Sequence, residues 1–151
     1  MVKELDLVQL IPLKRMLNER GYLMEVQRND DDHYSGFGQA YITATNPGVV
    51  KAWYRHKRQT DQITLIKGAI LLVLYDERKG SPTYGNLQEI HLDEANPLLV
   101  QIPSGVWHGF MALNNEQAIL LHLNSVSFHP STPDEERLHP NDSNIPFCWP
   151  E

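Results

Sequence analysis

The apolar positions of this chain fall in short runs, most of them rich in β-branched or aromatic residues. Nine such runs predict β-strands, and turn signals such as NPG, KG, IPSG and LNN separate them. The predicted strands are residues 22–27, 38–43, 49–56, 62–66, 69–76, 87–92, 98–102, 109–113 and 118–128. Short strands at this spacing are typical of an all-β barrel or sandwich.

Two segments depart from the strand pattern. Residues 10–19 carry apolar positions at helical spacing and predict a short N-terminal helix that ends at Arg20-Gly21. The last stretch, from His129 onward, is rich in Pro and Asp and predicts an irregular tail on the surface. The chain shows no convincing internal repeat, so we expect a single domain over residues 1–151, a usual length for one core.

Composition narrows the class of protein. A hydrophobic fraction of 41% and a charged fraction of 21% are typical of globular domains, and a net charge of −6 argues against a nucleic-acid partner. The N-terminal apolar residues are interrupted by charges, and no apolar run is long enough to span a bilayer. These features predict a cytoplasmic protein without a membrane partner. The only cysteine, Cys148, excludes an intrachain disulfide and a multi-cysteine zinc site.

Three stretches, taken in order, resemble the dTDP-4-dehydrorhamnose 3,5-epimerase family of cupins. They are RGY at residues 20–22 with Glu25 following, DERKGSPTYG at 76–85, and IPSGVWHGF at 102–110. The resemblance covers roughly residues 19–150 and includes the closing WP. It implies a cupin jelly-roll barrel, a nucleotide-sugar ligand, a homodimer, and neither a cofactor nor a metal.

The resemblance also implies a chemistry. Family members remove a proton from the carbon next to a keto group of a nucleotide sugar and return it from the other face, which needs a base, an acid and a group that stabilises the enolate. The positions of the family's His base, Tyr acid and Lys hold Tyr54, Phe128 and Thr64 in this register. A tyrosine rarely accepts a proton at neutral pH, phenylalanine has none to give, and threonine carries no charge. We therefore expect an epimerase-like isomerase of deoxysugar or polysaccharide biosynthesis with an altered catalytic dyad.

Other ionisable residues are candidates for the missing roles. Alternate residues of a strand share a face, so Tyr54 and His56 point the same way. His122 lies on another predicted strand, and His108 is the histidine of the HGF motif. We predict Tyr54, His56, His108 and His122 as catalytic residues, with the histidines as candidate bases and Tyr54 as candidate acid. For each histidine, a purely structural role as a hydrogen-bonded polar residue is the alternative.

Several further side chains are suited to bind a nucleotide sugar. The predicted substrate-binding residues are Arg20, Gln39, Lys51, Trp53, Gln62 and Phe128. They would remain useful even if catalysis had been lost. A non-catalytic sugar-nucleotide binder is therefore the first alternative function.

A metal-dependent cupin enzyme is the second alternative. His56, Asp61 and His108 could form a site of two histidines and one carboxylate, which suits non-haem iron. Tyr54 stands where the general cupin pattern has a further histidine, and the resembling family uses no metal. The sequence therefore predicts no bound metal.

Overall fold

Two five-stranded antiparallel sheets form the body of the protein. The computed structural model describes residues 4–151, which contain strands but no helix, and so no helix that could cross a membrane. The strands are β1 Gln9–Pro12, β2 Arg15–Asn18, β3 Gly21–Met24, β4 Gln39–Thr45, β5 Val50–His56, β6 Asp61–Lys67, β7 Ala69–Asp76, β8 Leu87–Asp93, β9 Leu98–Ile102, β10 Val106–Ala112, β11 Ala118–Asn124 and β12 Glu135–Arg137. The first sheet has the order β1-β9-β6-β11-β4, the second β12-β5-β10-β7-β8, and β2 with β3 forms a separate ribbon.

The all-β prediction is confirmed, but the predicted helix over residues 10–19 is wrong. That segment forms β1 and β2 instead. Pro12 lies inside the segment and has no amide hydrogen, so it opposes a continuous helix. Pairing with β9, in which Leu10 lies opposite Val100, supplies backbone hydrogen bonds and buries part of the same apolar residues. Helical spacing over so short a run did not outweigh this tertiary pairing.

One apolar core lies between the two sheets. Its members come from the facing sides of both sheets and include Ile63, Leu65, Leu120, Ile70, Leu72 and Phe110. Burial of each large aliphatic side chain contributes about 1.5–3 kcal/mol, so this layer holds the sheets together. Ile63 and Phe110 also line a cavity, which shows that the apolar layer gives way to polar residues at one end.

A second apolar cluster covers the outer face of the second sheet. Trp53 is fully buried, donates from Nε1 to the carbonyl oxygen of Pro140 at 3.0 Å, and lies 5.1 Å from the Trp149 ring and 6.1 Å from the Phe147 ring. The prediction of an irregular surface tail is therefore wrong in part. The tail contributes β12, which pairs with β5, and buries Ile145, because its few apolar residues complete this cluster.

A β-bulge in the second sheet shapes the side of β5 that faces the core. His108 pairs with Tyr54 but Phe110 pairs with Lys51, so β5 has one residue more than β10 in this interval. A bulge of this kind breaks strict alternation, and both Lys51 and Tyr54 come to line the same cavity. Gly109 permits the close approach, since a Cβ there would overlap the side chain of Ala52.

We expect Gly109→Ala to destabilise the fold by about 1–3 kcal/mol, because the added methyl overlaps the neighbouring strand. The free energy of unfolding, measured in denaturant, tests this. Ala52→Gly removes the nearest overlapping atom, so the double variant should lose less stability than the sum of the two single variants. Wild-type stability in Gly109→Ala would contradict the close packing at the bulge.

Candidate active site

A cavity of about 200 Å³ opens at the polar end of the core, between the two sheets. We call it the histidine cavity, after His56, His108 and His122, which line it together with Tyr54. His122 comes from β11 of the first sheet, and the other three come from β5 and β10 of the second sheet. The four predicted catalytic residues thus meet in one place, and Lys51 lies beside them.

Asp61, at the start of β6, is the centre of a hydrogen-bonded cluster in this cavity. Its Oδ2 lies 2.7 Å from Nε2 of His108 and 3.2 Å from Nε2 of His56, and its Oδ1 accepts from the side-chain amide of Gln59. Burial alone would raise the pKa of Asp61, but the hydrogen bonds from His108 and His56 outweigh it and hold that pKa well below its usual range. Asp61 is therefore a buried, ionised carboxylate shared by two imidazoles.

His108 has both ring nitrogens engaged. Nε2 contacts Asp61, and Nδ1 lies 3.2 Å from the carbonyl oxygen of Val106, which can only accept a hydrogen bond. No ring nitrogen is left to meet a substrate. This geometry favours a role for His108 in positioning Asp61 over the predicted role as a base.

The surroundings of His56 favour its protonated form. Burial lowers the pKa of His56, but the hydrogen bond and the charge of Asp61 outweigh it, and the net effect is a raised pKa. With Nε2 directed at Asp61, the second ring nitrogen, Nδ1, has no hydrogen-bond partner among residues 4–151. This Nδ1 lies 3.9 Å from Oδ2 of Asp134, so in a protonated His56 it carries an N–H that interacts with that carboxylate by charge but makes no hydrogen bond among these residues.

The surroundings of His122, unlike those of His56, favour the unprotonated ring. Burial, together with the charges of His108 and Lys51, lowers the pKa of His122 to about 4. The charge of Asp61 opposes this shift. Its Nε2 lies 2.8 Å from Oγ1 of Thr43, and its ring stacks on that of Tyr41, with centroids 4.5 Å apart. His122 is therefore an unprotonated imidazole at neutral pH.

The Asp61 cluster has the donor atoms of a metal site, since one atom each of His56, Asp61 and His108 lie within 4.8 Å of one another. In the octahedral geometry of a two-histidine, one-carboxylate iron site, neighbouring ligands bound at about 2.1 Å are separated by about 3.0 Å. The 2.7 Å between Asp61 and His108 is shorter than this and is typical of a charge-assisted hydrogen bond. The two distances from Asp61 fit a hydrogen-bonded cluster, and the metal-free site stays a prediction.

A second cavity of about 280 Å³, here called the rim cavity, adjoins the first and shares Tyr41, His56, Glu135 and Arg137 with it. Gln39 and Phe128 line the rim cavity, and the side-chain oxygen of Gln39 accepts the amide hydrogen of Phe128 at 2.7 Å. The strand predicted to reach Phe128 ends earlier, at Asn124. Phe128 is therefore half-exposed in a loop and does not stand opposite Tyr54 in the histidine cavity.

Three predicted binding residues line neither cavity. Trp53 lies in the outer aromatic cluster, and Arg20 is exposed at the turn of the β2–β3 ribbon. Gln62 is buried and accepts from the side-chain amide of Gln27 at 2.6 Å. Alternation along β6 explains this placement, because Asp61 faces the cavity and its neighbour Gln62 faces away. Thr64 follows Gln62 on the outward face.

Tyr41, Glu135 and Arg137 are cavity residues that the sequence did not single out. Tyr41 lies opposite His122 in the β4–β11 pairing, and Glu135 and Arg137 lie opposite His56 and Tyr54 in the β12–β5 pairing. Cross-strand pairing places all three beside predicted catalytic residues. Tyr41 was on a predicted strand, but no motif marked Glu135 or Arg137, which lie in the stretch predicted to be irregular.

Comparison with known proteins agrees with this architecture. The family model described as dTDP-4-dehydrorhamnose 3,5-epimerase matches residues 3–151. The chain belongs to the dTDP-4-dehydrorhamnose 3,5-epimerase family. The family prediction made from the RGY, GSPTYG and HGF stretches is therefore confirmed.

Several known proteins match most of the chain. The spore coat polysaccharide biosynthesis protein SpsL of Bacillus subtilis is 34% identical, over 96% of each chain. The probable low-salt glycan biosynthesis epimerase Agl13 of Haloferax volcanii is 38% identical, over 87% of this chain and 85% of its own. The crystal structure of a dTDP sugar isomerase from Desulfovibrio desulfuricans superposes with a TM-score of 0.91 at 33% identity, covering 96% of this chain and 92% of its own.

We expect Asp61→Asn to lower the pKa of His56 relative to the wild-type protein. The substitution removes the charge and hydrogen bond that raise this pKa and leaves the burial that lowers it. Titration of the histidine ring signals by NMR measures the change. Glu89→Gln, on the exposed side of β8, is the control and should leave the titration unaltered. An unchanged His56 pKa in Asp61→Asn would rule out the proposed coupling.

Proposed function

We propose that residues 1–151 form a single jelly-roll domain of cupin type that epimerises a nucleotide-linked 4-keto-6-deoxyhexose, of the dTDP type named in the family description. The enzyme would act in deoxysugar or polysaccharide biosynthesis. Its membership of an epimerase family supports this class of reaction. The names of its relatives, which include polysaccharide and glycan biosynthesis proteins, support the setting.

The observation that carries the proposal is the pair formed by His56 and His122. They stand on opposite sheets around one cavity, and their pKa values are shifted in opposite directions. Inversion of a carbon centre needs a proton acceptor on one face and a proton donor on the other. Groups whose environments drive their pKa values apart are suited to these two roles. His122 is accordingly the base, and His56 is the acid.

Charge on the enolate would be stabilised by other groups of the same cavity. Lys51 supplies an ammonium group, held by the carbonyl oxygen of Ala44 at 3.0 Å, and Tyr54 supplies a hydroxyl donor. Fixed donors stabilise developing charge because they need no reorganisation during the reaction. Lys51 thus takes over the role that Thr64, which faces away, does not fill.

Exchange of solvent deuterium into a dTDP-linked 4-keto-6-deoxyhexose tests the assignment. We expect His122→Asn to lose both exchange and epimerised product by about a hundred- to ten-thousand-fold, because proton abstraction fails. His56→Asn should lose product by a similar factor yet keep measurable exchange, since His122 can return a solvent-derived proton to the same face. The control, His91→Asn, alters an exposed histidine on β8.

The pH profile supplies a further expectation of the same proposal. His122 must be neutral to accept a proton, so activity should fall as the pH drops through about 4. His56 must be protonated to donate one, so activity should also fall as the pH rises above the raised pKa of His56, beyond 6.5. A wild-type protein that binds the nucleotide sugar without any exchange would favour the non-catalytic binder instead. Normal activity in His122→Asn would remove the base assignment.

We further propose that the protein is a homodimer, in which a second copy covers the β2–β3 ribbon. Met16, Leu17, Tyr22 and Leu23 lie on this ribbon with large exposed surfaces, reaching 77% for Leu17. A two-stranded ribbon is marginally stable without further packing, and exposed apolar patches of this kind are typical of interfaces. The cytoplasmic location stays a prediction from the sequence.

Light scattering at micromolar concentration should give about twice the chain mass of 17.3 kDa for the wild-type protein. Leu17→Glu should shift the protein towards the monomer, because a charge would be buried in the contact. Tyr84→Glu, at an exposed site in the GSPTYG turn, is the matched control and should leave the mass unaltered. A monomeric wild-type protein would contradict the dimer and leave the acid–base assignment standing.

A further inference from the structure

Thr43 on β4 is the hydrogen-bond partner of the His122 ring among residues 4–151. Its Oγ1 lies 2.8 Å from Nε2 of His122, and both side chains line the histidine cavity. The β4–β11 register explains the contact. Tyr41 pairs with His122, and Thr43, two residues further along β4, projects from the same face of the sheet. Pairing of the two strands therefore brings the hydroxyl to the ring.

Tyr41 holds the plane of the same ring. The Tyr41 and His122 rings are stacked, with centroids 4.5 Å apart and 10° between their planes. Phe110 lies on a further side, at a centroid distance of 6.4 Å. Tyr41 thus restrains the ring plane, and Thr43 restrains its Nε2 edge. The other nitrogen of His122, Nδ1, makes no hydrogen bond among the described residues and is not fully buried.

The contact with Thr43 bears on which ring nitrogen of His122 carries the proton. A neutral imidazole has one N–H donor and one acceptor nitrogen, and a threonine hydroxyl can accept or donate. If Thr43 accepts from Nε2–H, the lone pair of Nδ1 is free to take a proton; if Thr43 donates to Nε2, Nδ1 carries a hydrogen and cannot act as a base. The ammonium group of Lys51, which can only donate, lines the same cavity and favours an acceptor at Nδ1.

We propose that Thr43 is a positioning residue for His122, which accepts the Nε2–H hydrogen bond and so leaves the lone pair of Nδ1 available in the histidine cavity. The role of His122 as a base rests on the proposed function. When Nδ1 takes the proton from the carbon next to the keto group, the electron pair of the broken C–H bond passes to the keto oxygen as the enolate, and the ring becomes an imidazolium. Its hydrogen bond to Thr43 is then charge-assisted and stronger, so Thr43 stabilises the protonated ring.

NMR of the ligand-free protein with nitrogen-15 in its histidine rings tests the tautomer without any chemical step. At neutral pH, wild-type His122 should show a protonated Nε2 and an unprotonated Nδ1, and His122→Asn identifies these signals by their loss. Thr43→Val keeps the side-chain shape but removes the hydroxyl, so it should shift the ring towards a mixture of both tautomers. Thr43→Ser keeps the hydroxyl and should retain the wild-type signals.

The matched control is Thr45→Val. Thr45 lies two residues further along β4, and its buried hydroxyl has no hydrogen-bond partner among residues 4–151. Thr45→Val removes a hydroxyl from the same strand without touching His122, so the His122 signals and the exchange rate should stay at their wild-type values.

Solvent deuterium exchange measures the consequence for proton abstraction. Thr43→Val should slow exchange by about ten- to a hundred-fold, the effect of losing one hydrogen bond to a charged group, and should leave KM for the nucleotide sugar near its wild-type value. Thr43→Ser should restore most of the rate, which a loss of folding in Thr43→Val would not explain.

The inference is overturned if wild-type His122 carries its proton on Nδ1, or if Thr43→Val keeps the wild-type tautomer or the wild-type exchange rate. It is also overturned if Thr45→Val gives the same changes as Thr43→Val. If the wild-type protein shows no exchange at all, the base assignment fails, while the tautomer of His122 in the wild-type protein and in Thr43→Val still decides whether Thr43 sets it.

Discussion

The buried carboxylate of Asp61 is the constraint on which the site depends. An ionised group inside a protein costs several kcal/mol unless its hydrogen bonds are satisfied. Gln59 satisfies one oxygen of Asp61, and His56 and His108, from the facing sheet, satisfy the other. The two sheets must therefore meet at one register and one separation, and the cavity lies where this polar cluster replaces the apolar core.

The β-bulge and strand β12 bring further residues to the cavity beside the Asp61 cluster. The bulge at Gly109 brings Lys51 to the same side as Tyr54, and β12 adds Glu135 and Arg137 along the edge of β5. Trp53 anchors this edge from outside by exchanging backbone hydrogen bonds with Leu138 at 2.9 and 3.1 Å. Loss of the outer aromatic cluster would therefore disturb the strands that line the cavity, and so the cavity itself.

Environment, more than residue type, separates the two proposed proton-transfer roles. His56 and His122 are chemically identical, yet one has an ionised carboxylate as neighbour and the other is buried against Tyr41 and near positive charges. A scaffold of this type can thus give two histidines of one cavity the different protonation preferences that the proposed acid and base require. The requirement is a pair of groups on opposite faces of the bound sugar, and several strand positions can supply it.

The sequence by itself determined the all-β class, the family and most strands, because alternating apolar residues and turn motifs act locally; residues 69–76 and 98–102 were predicted with their observed ends. It also indicated the four catalytic candidates: Tyr54 and His56 share a strand face, His108 belongs to the HGF motif, and His122 lies on another predicted strand. The sequence had grouped His56, Asp61 and His108 only as candidate metal ligands. The tertiary structure decided that Asp61 joins the two histidines by hydrogen bonds, that Trp53 and Gln62 face away, and that Arg137 overlies Tyr54. These outcomes depend on strand pairing between distant segments, on a bulge, and on burial. The periodicity of a single segment indicates none of these.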